Sequence, residues 1–416
     1  MKLSNLTVIK FKKIDLPFIV WMVIGATFIA NVIEFPIFGR NISGWAWIVP
    51  LIISVFIIVR RPLRITFPIL VWTPWVCIIV FYFVNSGFSY PQRNMMLLSS
   101  VIVGMAVSTG RTTESQLNGF LVLMKVFVYL LLLKIVIRTG LLFTGILPTA
   151  AGFAPQSMTA VLLCTIFAVE YSLNREKSLV HWIIGVAIPV MALTRTAITA
   201  AGITIPFTFA SLKIRKRLIF LTIIAVLGVT LFYTERVQRK MFYSGAGTLR
   251  DVRLSNPDFF TTGRTRLWDL MMEEIKVKPW FGHGTNAQEE FIFDYLGFYG
   301  QPHNDWIRLL FDYGYLGTFA FAICIVLQSL HAWRRAKVTT GGTRILFYAG
   351  ASSFLPFVLF MFTDNIILYV SFFGNLHFAI LGLAYASLKT SMRDAAWYRY
   401  QAYLSSLFKT NDSSKT

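Results

Sequence analysis

MALTRTAITAAGITIPFTFASLKIRKRLIFLTIIAVLGVTLFYTERVQRK, residues 191–240, carries the pattern that decides the fold. An apolar run follows Arg195, ends in the basic turn Lys213, Arg215, Lys216 and Arg217, and resumes at once as far as Tyr233. Two apolar runs joined by a short cationic turn read as a pair of membrane helices. Each run approaches the roughly 20 apolar residues that a span needs, and lysine and arginine stay on the cytoplasmic side. Beyond Tyr233 the character changes to mixed charge.

The same alternation extends in both directions. Apolar windows lie near 16–34, 44–59, 65–84, 95–109, 117–137, 154–173, 179–194, 196–212, 217–233, 315–333, 344–362 and 366–388. With the N-terminus inside, the inside segments hold Lys2, Lys10, Lys12, Lys13, Arg60, Arg61, Arg64, Arg111, Arg175, Lys177 and the turn above. Arg334, Arg335, Lys337, Arg344 and the basic tail from Lys389 follow. The short outside turns hold only Arg40, Arg93, Arg138 and Arg195, which puts both termini in the cytoplasm. The expected fold class is therefore an all-α polytopic membrane protein of about twelve transmembrane helices.

Composition agrees. Of 416 residues, 56% are hydrophobic, more than a soluble domain can hide. The net charge of +20 belongs to the clusters between spans, so nucleic acid is not an expected partner and membrane lipids are. Cys77, Cys164 and Cys324 all lie in apolar runs and read as small buried hydrophobes, not as a disulfide framework or zinc site. The N-terminal apolar run reads as a retained first helix, because no small-residue cleavage site follows it.

One connection breaks the rule of short turns. Residues 234–314 form an outside segment of 81 residues between helices 9 and 10, with ten Lys/Arg and eleven of the chain's 19 Asp/Glu. So long a connection is functional or disordered, and Trp268, Trp280 and Trp306 argue against disorder. The chain then divides into helices 1–9 over 1–233, this active-site loop, helices 10–12 over 315–390 and a cytoplasmic tail over 391–416. Two helices are expected in the loop. The first opens at Thr261-Thr262-Gly263 and runs from about Arg264 to Val277, with Pro279 as its stop. The second starts near His303, with Gly314 ending or breaking it. The turn-rich link 281–286 lies between them.

Candidate chemistry concentrates at the edges of this loop. Arg195 either snorkels to water or serves a function, since it is the only charge from Leu179 to Leu212 apart from His181. Arg264 and Arg266 open a helix, where the dipole favours acids. Either they pair with Asp258 or Asp269, or they form an anion site with free backbone N–H groups. His303, beside Asn304, stands where positive helix ends disfavour the imidazolium, so a neutral ring can accept a proton. His283 is a weaker candidate. His181, His331 and His377 read as packing residues. No metal spacing, Walker loop or dinucleotide fingerprint occurs, and neither metal nor cofactor is expected.

In order, Thr194-Arg195-Thr196, Thr262-Gly263-Arg264-Thr265 with Leu267-Trp268, Pro279, Gly282, Gly284, and His303-Asn304 followed nine residues later by Gly314-Tyr315-Leu316-Gly317-Thr318 resemble the O-antigen ligase and polymerase superfamily. The chain departs from it at His283, where an aromatic is expected. The resemblance implies an inverting, metal-independent glycosyl transfer at the periplasmic face of the bacterial inner membrane, from an undecaprenyl-diphosphate-linked glycan donor. Arg195 and Arg264 would hold the diphosphate with Arg266 in support, and His303 would deprotonate the acceptor. Asn304, His283 and Trp268 are further supporting candidates, and Trp306 could stack on sugar. The acceptor would be another lipid-linked repeat unit in a polymerase or lipid A–core in a ligase. Flippase and chain-length regulator proteins would be partners. Thr-Gly-Arg-Thr followed by Leu-Trp reads closer to the polymerases of O-antigen or exopolysaccharide.

Two other classes stay open. A transporter or flippase would use Arg195 along a path, but shows inverted repeats that are absent here; Lys125 and Lys134, in the span at 117–137, either line a polar cavity, face the lipid-diphosphate path or snorkel. A scaffold needs neither a basic helix start nor His303. The catalytic reading requires that Arg195, Arg264 and His303 converge.

Overall fold

The structure, a computed structural model, describes residues 15–33, 36–37, 40–144, 154–235, 238, 247–251, 264–297 and 300–388. The N-terminal lysines up to Lys13, Asp258, the helix opening at 261–263 and the tail 391–416 lie outside the described residues.

The regular structure of the described residues is helical apart from one two-rung pair, Pro36 with Asn41 and Ile37 with Arg40. The first half comprises α1 (Phe18–Val32), α2 (Ile48–Arg60), α3 (Ile69–Asn85), α4 (Pro91–Ser108), α5 (Glu114–Phe143), α6 (Ala154–Ser172), α7 (Ser178–Met191), α8 (Arg195–Gly202), α9 (Thr204–Phe207) and α10 (Ile214–Phe232). After the loop's α11 (Arg264–Ile275) and α12 (Ala287–Leu296) come α13 (Asp305–Lys337), α14 (Gly341–Ser352), α15 (Phe354–Met361) and α16 (Gly374–Leu388). All twelve apolar windows contain helix.

By length and composition, four helices among the described residues can cross a membrane: Ile42–Arg60, Glu114–Leu141, Asp305–Lys337 and Gly341–Met361. α1, α3, α7 and α16 are apolar but shorter. Four by this measure stand where about twelve were expected. The windows at 196–212 and 366–388 are not single helices. The first splits at Ile203 and leaves helix after Phe207, and the second is turn as far as Phe373. Non-helical backbone at such depth survives only where protein covers it or a cavity takes it, and Ile366, Val370 and Phe373 are buried.

α6 forms the centre. Its residues from Met158 to Val169 are at most 1% exposed on every face, as befits a helix apolar all round. It ends on Glu170, whose carboxylate is buried and takes Lys125 at 3.1 Å, Arg175 at 3.0 Å and the Ser178 hydroxyl at 3.0 Å. The intramembrane Lys125 is thus one arm of a buried charge cluster, while Lys134 donates to the Asn31 carbonyl. Cys164 and Cys324 are buried as expected, but Cys77 lies exposed on α3. His377 is buried among Phe354, Phe373 and Phe378 and bonds the Gly350 carbonyl.

The 33 residues of α13 would run about 50 Å, against a hydrocarbon core of about 30 Å. Asn304 caps its start by accepting from Ile307 N at 3.1 Å, Asp305 sits in its first turn, and Arg334, Arg335 and Lys337 in its last. Both ends therefore suit the helix dipole. Gly314, at φ 62 and ψ −166, breaks it. At this break the loop backbone crosses: His283 N bonds Phe311 O and Gly284 N bonds Asp312 O, both at 2.9 Å, while Tyr315 N bonds Pro279 O at 2.7 Å. A Cβ on Gly314 would meet the Trp280 carbonyl carbon at 2.4 Å, and one on Gly282 would meet Asp312 backbone at 2.6 Å.

A third helix, α12, occupies part of what the sequence reading leaves as link and loop. Glu289 and Glu290 in its first turn and Gly297 in the left-handed conformation after its end were its signals. It docks on α4 through Arg93–Glu289 at 2.8 Å and Tyr90–Glu290, and Tyr82 of α3 donates to the Phe281 carbonyl.

Gly314 occupies backbone space that is nearly closed to other residues, at a cost of about 1–3 kcal/mol before any clash is counted. Gly314→Ala should lower the melting temperature in detergent by several degrees. Gly25→Ala, where a Cβ meets nothing within 4 Å, should leave it unchanged or slightly higher. Equal melting of the two variants would show that the crossing carries no stability.

Candidate active site

The first segment of α13 presents Asp305, Arg308 and Asp312 at i, i+3 and i+7, one face of a helix. All three are buried. Asp305 accepts from Arg308 Nη1 at 3.2 Å and, through its other oxygen, from Ile367 N at 2.9 Å. Arg308 Nη2 donates to Asn365 Oδ1 at 3.4 Å. Asp312 accepts from Asn286 N at 3.1 Å and Gln288 N at 3.0 Å. Buried charges persist only when paired and hydrogen-bonded. These pairs tie α13 to the start of α12 on one side and to the turn after α15 on the other.

That turn, 363–365, is where the predicted residues meet. Arg264 Nη1 donates to the Thr363 carbonyl at 3.1 Å. His303 Nδ1 lies 3.4 Å from Asp364 Oδ1 and 3.1 Å from Asn365 Nδ2. Arg195, the first residue of α8, is close enough to Arg264 for their charges to repel, and α8 packs on α15. Arg264 and His303 thus meet on one turn from distant stretches of chain, and Arg195 stands near enough to Arg264 for their charges to interact.

His303 does not start the helix. It stands one residue before the cap Asn304, at φ 51, a left-handed conformation uncommon outside glycine. That turn brings its ring to Asp364. Arg308 holds the Asn365 oxygen and so turns the Asn365 amide toward His303. Nδ1 therefore either donates its proton to the carboxylate or accepts from the amide, according to the tautomer. In the form with the proton on Nδ1, Nε2 is left as an acceptor, and the side chain is 37% exposed.

Burial holds the Arg264 guanidinium below its ordinary value, and the Asp364 carboxylate offsets part of that. Arginine still stays charged at neutral pH. Two guanidinium groups against one acid leave a positive balance suited to an anion.

The other candidates fall elsewhere. Asn304 serves as a cap. His283 stacks on Phe311 at 4.7 Å and its Nε2 donates to the Glu274 carbonyl at 3.2 Å. Trp268 donates to the Pro302 carbonyl at 2.7 Å, which ties α11 to the turn that carries His303. Trp306 packs on Phe362. Arg266 is exposed on α11. Asp364, Asn365 and Arg308 escaped the sequence reading. One signal existed, since Asp364 is the only acid between Gly314 and Asp394.

Residues 180–322 match the family model described as O-Antigen ligase. The match supports the O-antigen ligase/polymerase superfamily for this chain and indicates an O-antigen ligase/polymerase-type membrane enzyme. It spans Arg195, Arg264 and His303 but not Asp364 or Asn365. Curated proteins gave no match.

Removing one partner of a buried ion pair strands the other, at about 3–5 kcal/mol. Asp305→Ala should therefore sharply reduce the yield of monodisperse, folded protein, while Asp305→Asn, which can still accept from Ile367 N, should lose less. Indistinguishable yields and melting curves for both variants and the parent would remove Asp305 from the framework.

Proposed function

We propose, with the O-antigen ligase match as premise, that the chain transfers a glycan from a polyprenyl-diphosphate carrier to an acceptor sugar hydroxyl, with inversion and without metal. The observation that carries this reading is the meeting of Arg264 and His303 on the 363–365 turn, with Arg195 within charge range of Arg264. His303 Nε2 takes the proton of the acceptor hydroxyl. That oxygen bonds to the anomeric carbon of the donor, from the face opposite the leaving group. The bond from that carbon to the diphosphate oxygen breaks, and its electron pair leaves with the carrier diphosphate. Arg195 and Arg264 stabilise the charge that grows there. Fixed cations aimed at developing charge act without reorganisation. Asp364, on Nδ1, orients the ring and supports the imidazolium as it forms.

The acceptor separates two versions. The Thr-Gly-Arg-Thr and Leu-Trp pattern favours polymerisation of lipid-linked repeat units, with O-antigen or exopolysaccharide as product. The description of the matched family favours ligation to lipid A–core. A product ladder on the lipid carrier identifies the first, and glycan on lipid A–core the second.

Purified protein in nanodiscs, incubated with a polyprenyl-diphosphate-linked repeat unit, should release the carrier diphosphate. His303→Ala should slow release by about 10²–10⁴-fold, and Arg264→Ala by about 10²–10³-fold, with melting curves like the parent's. Movement of intact lipid-linked glycan across a vesicle membrane with no diphosphate release would overturn the enzyme reading in favour of a transporter.

A further inference from the structure

A cavity of about 340 Å³ opens next to the candidate centre, within the size range of small-ligand pockets. Asn365 forms part of its wall, the same side chain whose amide lies 3.1 Å from His303 Nδ1. The rest of the wall comes from residues 43–47 ahead of α2, from α4, from Pro155 at the start of α6, from Gln301 and from the turn 368–372.

Its chemistry differs from that of the arginine pair. Among the described residues the only charged one in the lining is Arg93, and its charge is met by Glu289 at 2.8 Å. Glu289 also accepts from Gln301 Nε2 at 2.6 Å. That leaves Gln301 Oε1 buried without a hydrogen-bond partner among the described residues, and Ser371 Oγ is in the same state. Ser371 is only 3% exposed. Buried polar atoms in folded proteins are nearly always paired, so two unmet ones in residues that line one cavity give it hydrogen-bonding capacity to spare for a ligand with hydroxyl or amide groups. Trp45, 38% exposed, and Tyr369 add aromatic rings to the same lining. An acyl chain would leave Gln301 and Ser371 unmet. A diphosphate would find no uncompensated cation here. A neutral sugar suits both features: its hydroxyls offer partners to Gln301 and Ser371 once those side chains turn toward the cavity, and its C–H face lies on a ring.

We infer that this cavity is the acceptor subsite and seats one neutral pyranose, a hexose or N-acetylhexosamine, with a hydroxyl directed past Asn365 toward His303. The assignment rests on the transferase reading above, because that reading makes the sugar next to His303 the acceptor. Asn365 is then a positioning residue, shared between the sugar and the imidazole.

The test uses full-length protein in nanodiscs and methyl glycosides of glucose, galactose and N-acetylglucosamine, followed by saturation-transfer NMR. At least one glycoside should receive saturation from the parent protein. Trp45→Ala, which removes an exposed ring, should weaken its binding about tenfold, the loss expected for one aromatic contact. Gln301→Leu should weaken it in the same direction. With donor and a separate saccharide acceptor, Trp45→Ala should raise the acceptor KM about tenfold and leave the donor KM within twofold. No glycoside binding to the parent, or binding undiminished in both variants, overturns the subsite while the transferase reading survives on its own assay. A shift in the donor KM instead assigns the cavity to the donor and overturns the acceptor assignment. Glycoside binding by a parent protein that releases no carrier diphosphate leaves a sugar site, and removes both the acceptor role and the transferase reading.

Discussion

At Gly282 and Gly314 two backbones cross with no side chain between them. The four hydrogen bonds of this crossing, His283 N to Phe311 O, Gly284 N to Asp312 O, Tyr315 N to Pro279 O and Leu316 N to Trp280 O, fix the loop against the break in α13. The break lets one helix do two jobs. Its second part is apolar and belongs to the bundle. Its first part carries Asp305, Arg308 and Asp312 inward, and no such triad could sit in hydrocarbon without partners. From that first part the positions of His303, Asn365 and Ile367 follow by direct bonds. The segment 279–284 is thereby joined to the bundle by main chain.

Charge is divided between two ends of the molecule. α6 begins beside the sugar-sized cavity, where Pro155 is part of the lining, and ends at Glu170. Its 19 residues make about 28 Å, close to one membrane core. At the Glu170 end Lys125 and Arg175 are met by a carboxylate. At the other end Asp364 offsets Arg264, while Arg195 faces the repulsion of Arg264. Buried cations matched by acid read as structure, and cations in excess read as candidates for function.

Much of this was legible in the sequence. Apolar windows with basic turns gave the helical membrane character, and Arg195, Arg264 and His303 came from motif order and from helix-start physics. The structure brings these three together. What the sequence hid is non-local. Asp364 and Asn365 lie outside the long loop, between two apolar runs, and only the fold puts them under His303. Asn304 looked chemical and is a cap, because capping and catalysis use the same side-chain types. Windows 196–212 and 366–388 looked like continuous spans, since hydropathy records burial and not helical continuity. α12 was passed over because a ten-residue helix between two turn-rich stretches has little apolar periodicity.

The turn at 363–367 also sets an order of assembly. It is the last part of the candidate centre to be synthesised, and Asp305, Arg308, His303 and Arg264 all bond to it. A nascent chain that has emerged only as far as α14 therefore holds a carboxylate, two guanidinium groups and an imidazole without their final partners. Those contacts span from 57 to 99 residues of sequence, and closing such loops costs chain entropy before any contact forms. The centre therefore completes late, when the turn closes on groups that the earlier helices already hold.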